Sequence, residues 1–302
     1  MSLPVVKTPF IKTANTPAQL LTKLQAQGLT VPVASQQAAL NYLQYVGGYR
    51  LKGYWHHMLQ PGTKTFVIGT TFDQIAARCE FDRELRAATI EAIDRLEVSI
   101  RTSMANYLSL KHSPHWFLQP AIFKPTAKWG LGQLIRKIED EVRRSEQKRF
   151  VNHYMTNHDD PYLPPSWSIT ECVSFGLWSR TYAILRDVND KKAISMKFGI
   201  DQPDVFTSWI HTLTVIRNVA AHHGQLLHVK QGVGPANYTK GGIAFTDNKA
   251  FYAAATVISV LLKATHLPNR WKTDLIDIFA RYPSVPVSEI GFPVGWQTQP
   301  GW

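Results

Sequence analysis

The feature that most constrains this chain is one long helical pattern, TFDQIAARCEFDRELRAATIEAIDRLEVSIRTSMANYLSL, over residues 71–110. Phe81, Leu85, Ala88, Ala92, Leu96, Ser99 and Ser103 recur on one side at helical spacing, and charges fill the opposite side. Isolated helices gain little from propensity alone, so a helix of this length needs packing partners along its whole run. Phe81 is the candidate break point. The rest of the fold has to be built around this rod.

Enough chain is present to do so. The 302 residues are 44% hydrophobic, which supports a sizeable core and excludes a disordered composition. Cys79 and Cys172 are the only cysteines, which argues against a disulfide scaffold and fits a reducing cytoplasm. Their spacing matches no zinc cluster, so no metal is expected, and no cofactor either. The opening MSLPVVKTPFIKT lacks the apolar stretch and cleavage site of a secretory leader. The most apolar run, AFYAAATVISVLL, stops at Lys263, short of the ~20 residues a membrane span requires, and reads as a core helix. A formal net charge of +11 points to a polyanionic partner, nucleic acid before an anionic membrane.

Helical punctuation dominates elsewhere. Thr16 caps a helix with Pro17 in its first turn and Gly28 beyond its end, and Ser35 and Gly47 bound a second. GYRLKGYWHHML reads as a turn leading into irregular chain. WGLGQLIRKIEDEVRRSEQKRFVNHYMTNH reads as one charged helix broken by DDPYLPP. Ser168 and Glu171 form a candidate capping box for SWSITECVSFGLWSRTYAILRD. KKAISMKFG is a short helix, and DQPDVFTSWIHTLTVIRNVAAHHG a longer one with Asp201 near its cap. A glycine-rich hairpin or loop near 230–245 precedes two helices around Phe251–Ala264 and Trp271–Tyr282, and the tail looks extended. The expected fold class is therefore all-α. A helix–loop extension spans 1–70, the main helical domain 71–283 and an extended tail 284–302, together one compact unit.

One helix breaks the binary pattern. In LTVIRNVAAHHGQLL and the residues before it, Phe206, Trp209, Ile210, Leu213, Ile216 and Ala220 form an apolar stripe. Arg217 lies at the edge of that stripe, and Asn218 and His222 lie on another face near His211. His223 falls near the far edge. A cation bordering a core marks either a structural ion pair, with Glu97 or Glu171 as partner, or a functional site. The histidines could simply complement the negative end of the helix dipole. They could also do chemistry. Cleavage of RNA by its own 2′-hydroxyl needs a base, an acid and a cation for the developing phosphorane charge. Histidine suits the first two roles and arginine the third, with asparagine to orient either, and no metal is required. On an ideal helix Arg217 and His222 stand about 140° apart. They meet at one phosphate only if Arg217 reaches round, the last turn distorts, or a second subunit completes the site.

RNVAAHH has the form R-N-x-x-A-H-H and resembles the hallmark of the Abi-like abortive-infection family (AbiD/AbiF type). Its first six residues also fit R-x4-H, the motif of the HEPN superfamily. NYLQYVGGYRLKGYW resembles the family's tyrosine-rich turn, EFDRELRAATIEAIDRLEVSIRT its long helix, PPSWSITECVSFGLWSRTY its W-x-x-x-E-x-x-S-F-G segment, and GFPVGW its C-terminal motif. These matches fall in order between about Thr16 and Trp296. The resemblance implies a HEPN-like helical bundle core, a homodimer that pairs two such motifs, and RNA as substrate or ligand. It casts Arg217 as phosphate binder, Asn218 as positioning residue and His222 as general base or acid, with His223 in support. It also implies a small structured noncoding RNA as a restraining partner, as in toxin–antitoxin pairs.

Other residues carry two readings each. Glu97 and Arg101 form an i,i+4 pair or orient Arg217, and Glu171 is a second candidate for that orientation. Trp167 and Trp178 read as core rather than as base-stacking platforms. Arg136, Lys137, Arg143, Arg144, Lys148 and Arg149 form a solvated helix face or an RNA-backbone track. Arg50 and Lys52, beside Tyr49 and Tyr54, form a packed turn or a contact for single-stranded RNA. Three functions follow: a metal-independent endoribonuclease of phage defence, a non-catalytic RNA-binding module, and a protein-interaction sensor of phage components.

Overall fold

The computed structural model describes residues 9–11, 13–124, 126 and 129–302. Most of the opening segment read above, residues 1–8 and Lys12, lies outside the described residues. The fold is all-α, with no strand among the described residues. The chain forms two compact units, Met1–Phe81 and Asp82–Trp302.

In the first unit, α1 (Pro17–Ala26) starts at a complete capping box: Thr16 Oγ1 accepts from Gln19 N at 3.2 Å, and Gln19 Oε1 from Thr16 N at 2.9 Å. α2 (Gln36–Tyr42) runs through a π turn at Leu43–Gly47 into α3 (Gly48–Trp55). The expected turn at GYRLKGYW is therefore a helix. Its buried residues, Leu51, Tyr54 and Trp55, follow the helical period, and that burial overrides the glycines. Gly48 lets α1 approach closely, since a Cβ there would push the end of the Leu20 side chain aside. Arg50 is half-buried on α3 and Lys52 is exposed.

The long helix, α4 (Phe72–Lys111), runs without the break considered at Phe81. Within the second unit its buried face is wider than the expected stripe. Leu85, Ile93, Leu96, Ile100, Met104 and Leu108 are wholly buried, but so is Asp82, and Arg86 and Glu97 nearly so. Charges that the pattern put on the solvent side are thus inside, each with a partner. Arg86 pairs with Asp82, whose Oδ1 also accepts from Leu226 N at 2.9 Å and Leu227 N at 2.8 Å. At the far end, buried Asp190 accepts from Tyr107 Oη at 3.1 Å and from Lys111 Nζ at 2.5 Å, and pairs with His112 Nε2 at 2.8 Å.

The single charged helix expected after Trp129 is two, α5 (Leu131–Arg143) and α6 (Arg149–Asn157). Leu134, Ile138 and Val142 make one buried stripe, and an unbroken helix would carry Val151 about 180° away from Val142. The turn between α5 and α6 returns Val151 to the core. α7 (Ser166–Ile169) and α8 (Phe175–Ala183) also replace one expected helix. No Ser168–Glu171 capping box forms, because Ser168 lies inside α7. Instead Glu141 on α5 accepts from Ser174 N at 2.5 Å and Ser174 Oγ at 3.0 Å, just ahead of α8.

α9 (Val188–Met196) leads to α10 (Pro203–Ala221), which packs against α8, α9 and α11 (Phe251–Thr265). Asp201 does not cap α10. It accepts from Tyr238 Oη at 2.9 Å and pairs with Lys240, bracing a loop closed by a single Tyr238–Ile243 bridge. α12 (Trp271–Arg281) follows. The tail, expected to be extended, instead folds as two 3-10 turns, Val287–Ile290 and Trp296–Thr298. Phe292 and Trp296 are buried with ring centroids 5.1 Å apart, and Trp302 Nε1 donates to Thr256 Oγ1 at 2.9 Å. Phe292 packs on Phe251 and Tyr252 of α11 and Trp296 on Phe279 of α12, and that burial decides the tail's shape.

Because Asp82 satisfies two backbone donors and one guanidinium, Asp82→Ala should lose about 3–5 kcal/mol in urea denaturation. A loss below about 1 kcal/mol would mean that this carboxylate does not hold the 226–227 segment in place.

Candidate functional site

The apolar stripe of α10 is buried as its spacing requires: Phe206, Trp209, Ile210, Leu213 and Ile216 are fully enclosed. That burial fixes the rotation of the helix. It leaves Arg217 at the border, with its side chain 40% exposed, and turns Asn218, His222 and His223 to the surface. His211 is exposed as well.

Arg217 is anchored from below. Glu97, on the buried face of α4, bonds Arg101 one turn on, and its other oxygen lies 3.5 Å from Arg217 Nε. Arg101 Nη1 donates to the Thr170 carbonyl at 3.1 Å, while its buried Nε finds no partner among the described residues. Arg217 Nη1 donates to Asn218 Oδ1 at 3.3 Å. One carboxylate thus serves two guanidiniums, and the cluster keeps a surplus positive charge. Burial, and next the field of Arg217, lower the pKa of Arg101 to about 10, against an opposing pull from Glu171, Glu141 and Asp94. A bound anion would relieve the repulsion, and Arg217 is the member that solvent can reach.

The end of α10 sets the histidines. Gly224 N donates to Val219 O at 2.7 Å and His223 N to Ala220 O at 3.2 Å, the two bonds of a Schellman ending. His222 is the C-cap, and His223 occupies the left-handed position at φ 59°, where glycine is favoured. Gly224 follows one residue late. The chain therefore carries a strained histidine where a strain-free residue was one position away. Strain of this kind persists where surrounding structure over-determines it, and Asp82 supplies that restraint by holding Leu226 and Leu227.

The structure thus brings together Glu97, Arg101, Arg217 and Asn218. It places no hydrogen bond between Arg217 and His222 or His223 among the described residues, so the angular gap expected on α10 persists within one chain. Glu171 is exposed and does not pair with Arg217. It acts on Arg101 through its charge, while its backbone oxygen takes Lys148 Nζ. Arg136, Lys137, Arg143, Arg144, Lys148 and Arg149 are all exposed on α5, α6 and the turn between them. Asp82 and the Thr170 carbonyl escaped the sequence reading. The Asp82–Arg86 spacing in EFDRELR was the one available signal for the first, and no residue-type signal exists for a backbone oxygen. Trp178 is core, but Trp167 is 52% exposed, against expectation, because short α7 presents it outward.

Replacing the strained histidine gives a direct check. His223→Gly should stabilise the fold by about 1 kcal/mol, raising the thermal midpoint by about 2–4 °C. An unchanged or lower midpoint would show that His223 sits there without strain.

No helix among the described residues is long and apolar enough to cross a membrane. No match was found among curated proteins or among solved structures. A family model described as Abi-like protein matches residues 41–228, a span that holds the long helix, the Trp167–Gly176 segment and the whole of the arginine–histidine site. The chain belongs to the Abi-like family, and at the level of that family to abortive-infection phage defence.

Proposed function

We propose that this chain is a metal-independent endoribonuclease acting in phage defence, with RNA cleaved at the end of α10. The observation that carries this reading is Arg217: solvent-accessible, tethered to a buried carboxylate and repelled by Arg101, it is a cation positioned for an anion. The R-x4-H resemblance to HEPN nucleases supplies the assignment of the other roles.

In the reaction, the 2′-hydroxyl attacks the adjacent phosphorus while a histidine takes its proton. The bond from phosphorus to the 5′-oxygen breaks, and that oxygen receives a proton. The products are a 2′,3′-cyclic phosphate and a 5′-hydroxyl. Arg217 balances the charge on the phosphorane, His222 is the base or acid, and Asn218 holds the Arg217 fork. Since no hydrogen bond joins Arg217 and His222 among the described residues of one chain, a homodimer that sets two α10 ends side by side is the natural arrangement for the complete site. The exposed cations on α5 and α6, with Arg50 and Lys52, bind backbone phosphates of the substrate or of a small structured RNA partner in the cytoplasm.

The alternative is a non-catalytic RNA-binding module, and that same missing hydrogen bond favours it. The discriminating experiment is cleavage of RNA by wild type and His222→Ala with EDTA present. A nuclease of this kind yields cyclic-phosphate or 3′-phosphate ends from wild type, and a rate about 10²–10⁴-fold lower from the variant. Binding without cleavage by wild type would establish the module. Equal cleavage by the two would remove His222 from the chemistry.

A further inference from the structure

A second feature, an aromatic groove, shares only Arg149 with the residues assigned above. Between α6 and α7 runs an open groove of about 660 Å³, with Phe150, His153 and Tyr154 on one side and Trp167 on the other. Its volume falls in the usual range for small-molecule sites, ~300–1,000 Å³. Phe150 and Trp167 both present large ring surface to solvent. None of the lining residues is acidic, and Arg149 stands at the rim. Lys148, Arg144 and Arg143 precede it along the exposed turn.

Both walls are held. On the α7 side, Ser166 N donates to the Pro114 carbonyl at 2.8 Å and Ser166 Oγ lies 2.6 Å from Ser109 Oγ on α4. Trp167 projects from this pinned turn. On the α6 side, Tyr154 Oη donates to the Pro161 carbonyl at 2.7 Å, and the Tyr154 and His158 rings lie 4.9 Å apart. An aromatic slot that is already rigid loses little entropy on taking a flat ligand.

Two hydrogen bonds join the turn that carries Trp167 to Arg101. Thr170 Oγ1 donates to the Trp167 carbonyl at 2.7 Å, and the Thr170 carbonyl accepts from Arg101 at 3.1 Å. One turn of chain therefore links the exposed indole to the cluster that holds Arg217. Rings flanked by cations, on a turn hydrogen-bonded to the cluster that holds Arg217, match one ligand chemistry: an unstacked base and its charged backbone.

We propose that the Trp167 groove binds a nucleobase of single-stranded RNA, stacked on the indole, with the strand's backbone running along Lys148 and Arg149 toward Arg217. This inference rests on RNA being the ligand of the α10 site, and it makes the preferred substrate unpaired. Duplex RNA keeps its bases stacked inside and has none to offer the slot.

The test uses the full chain and a fluorescent 2′-O-methyl strand of about ten nucleotides, enough to reach both sites. That strand has no free 2′-hydroxyl, so binding is read apart from cleavage. Anisotropy is compared for wild type, Trp167→Ala and Trp167→Phe, and for an abasic strand of equal length. Loss of one stacked base weakens binding about 5- to 150-fold, so Trp167→Ala should show a drop in that range and Trp167→Phe should keep most of the affinity. The abasic strand should bind weakly and ignore Trp167→Ala. Trp167 is half exposed, so an unchanged thermal midpoint verifies the fold. Equal affinity of wild type and Trp167→Ala, equal losses for base-bearing and abasic strands, or no binding of the strand by wild type would each overturn the proposal. RNA that binds through Trp167 but is never cleaved would overturn the nuclease reading and leave the groove standing.

Discussion

The second unit is organised around a carboxylate in an expensive place. Glu97 is 6% exposed, on a stretch of α4 where Ile93, Leu96, Ile100 and Met104 are wholly buried. A lone charge there would cost several kcal/mol, so its presence dictates cations beside it. Arg101 answers from the next turn of α4 and Arg217 from α10. The second answer is the more consequential, because it ties the one irregular face of α10 to the rod through the domain. The Arg101 guanidinium in turn seizes the Thr170 carbonyl, which draws α7 and its exposed Trp167 to the same place.

A second buried carboxylate does a similar task about 22 Å of helix earlier in the chain, at a rise of about 1.5 Å per residue. Asp82 takes the Leu226 and Leu227 amides, just beyond the His-His-Gly ending, and so holds the chain where it leaves α10. With both ends of the motif tethered to one helix, the terminal turn adopts a Schellman ending even though its left-handed position carries His223. The two carboxylates have different effects. Glu97 leaves a positive surplus that an anion can neutralise, whereas Asp82 converts helix rigidity into a defined position for two imidazoles.

Much of this was legible beforehand, and the reasons are local. Thr16 and Pro17 announce α1 because a capping box uses only residues three apart. The stripe from Phe206 to Ala220 announces the rotation of α10 because burial follows the helical period, and Arg217 stands out against it. Errors arose where a local rule lost to packing. Glycines in GYRLKGYW suggested a turn, but Leu51, Tyr54 and Trp55 bury a helix, with Gly48 lying close under the Leu20 side chain. Ser168 and Glu171 have capping-box spacing, yet Glu141 from another helix reaches Ser174 first. The tail looked extended because nothing within it reveals that α11 and α12 offer Phe292 and Trp296 a surface.

By itself, the sequence determined the all-α class, the long central helix, the edge position of Arg217 and the family. These follow from periodicity and from a motif contained in seven consecutive residues. Only the tertiary structure decided that Glu97 serves Arg101 and Arg217 together, that Asp82 pins the end of α10, that His223 occupies a left-handed position, and that Trp167 faces solvent beside a basic rim. Each of those depends on which segments distant in sequence share a low-dielectric interior. The demand that every buried charge find a partner is settled between helices rather than along any one of them.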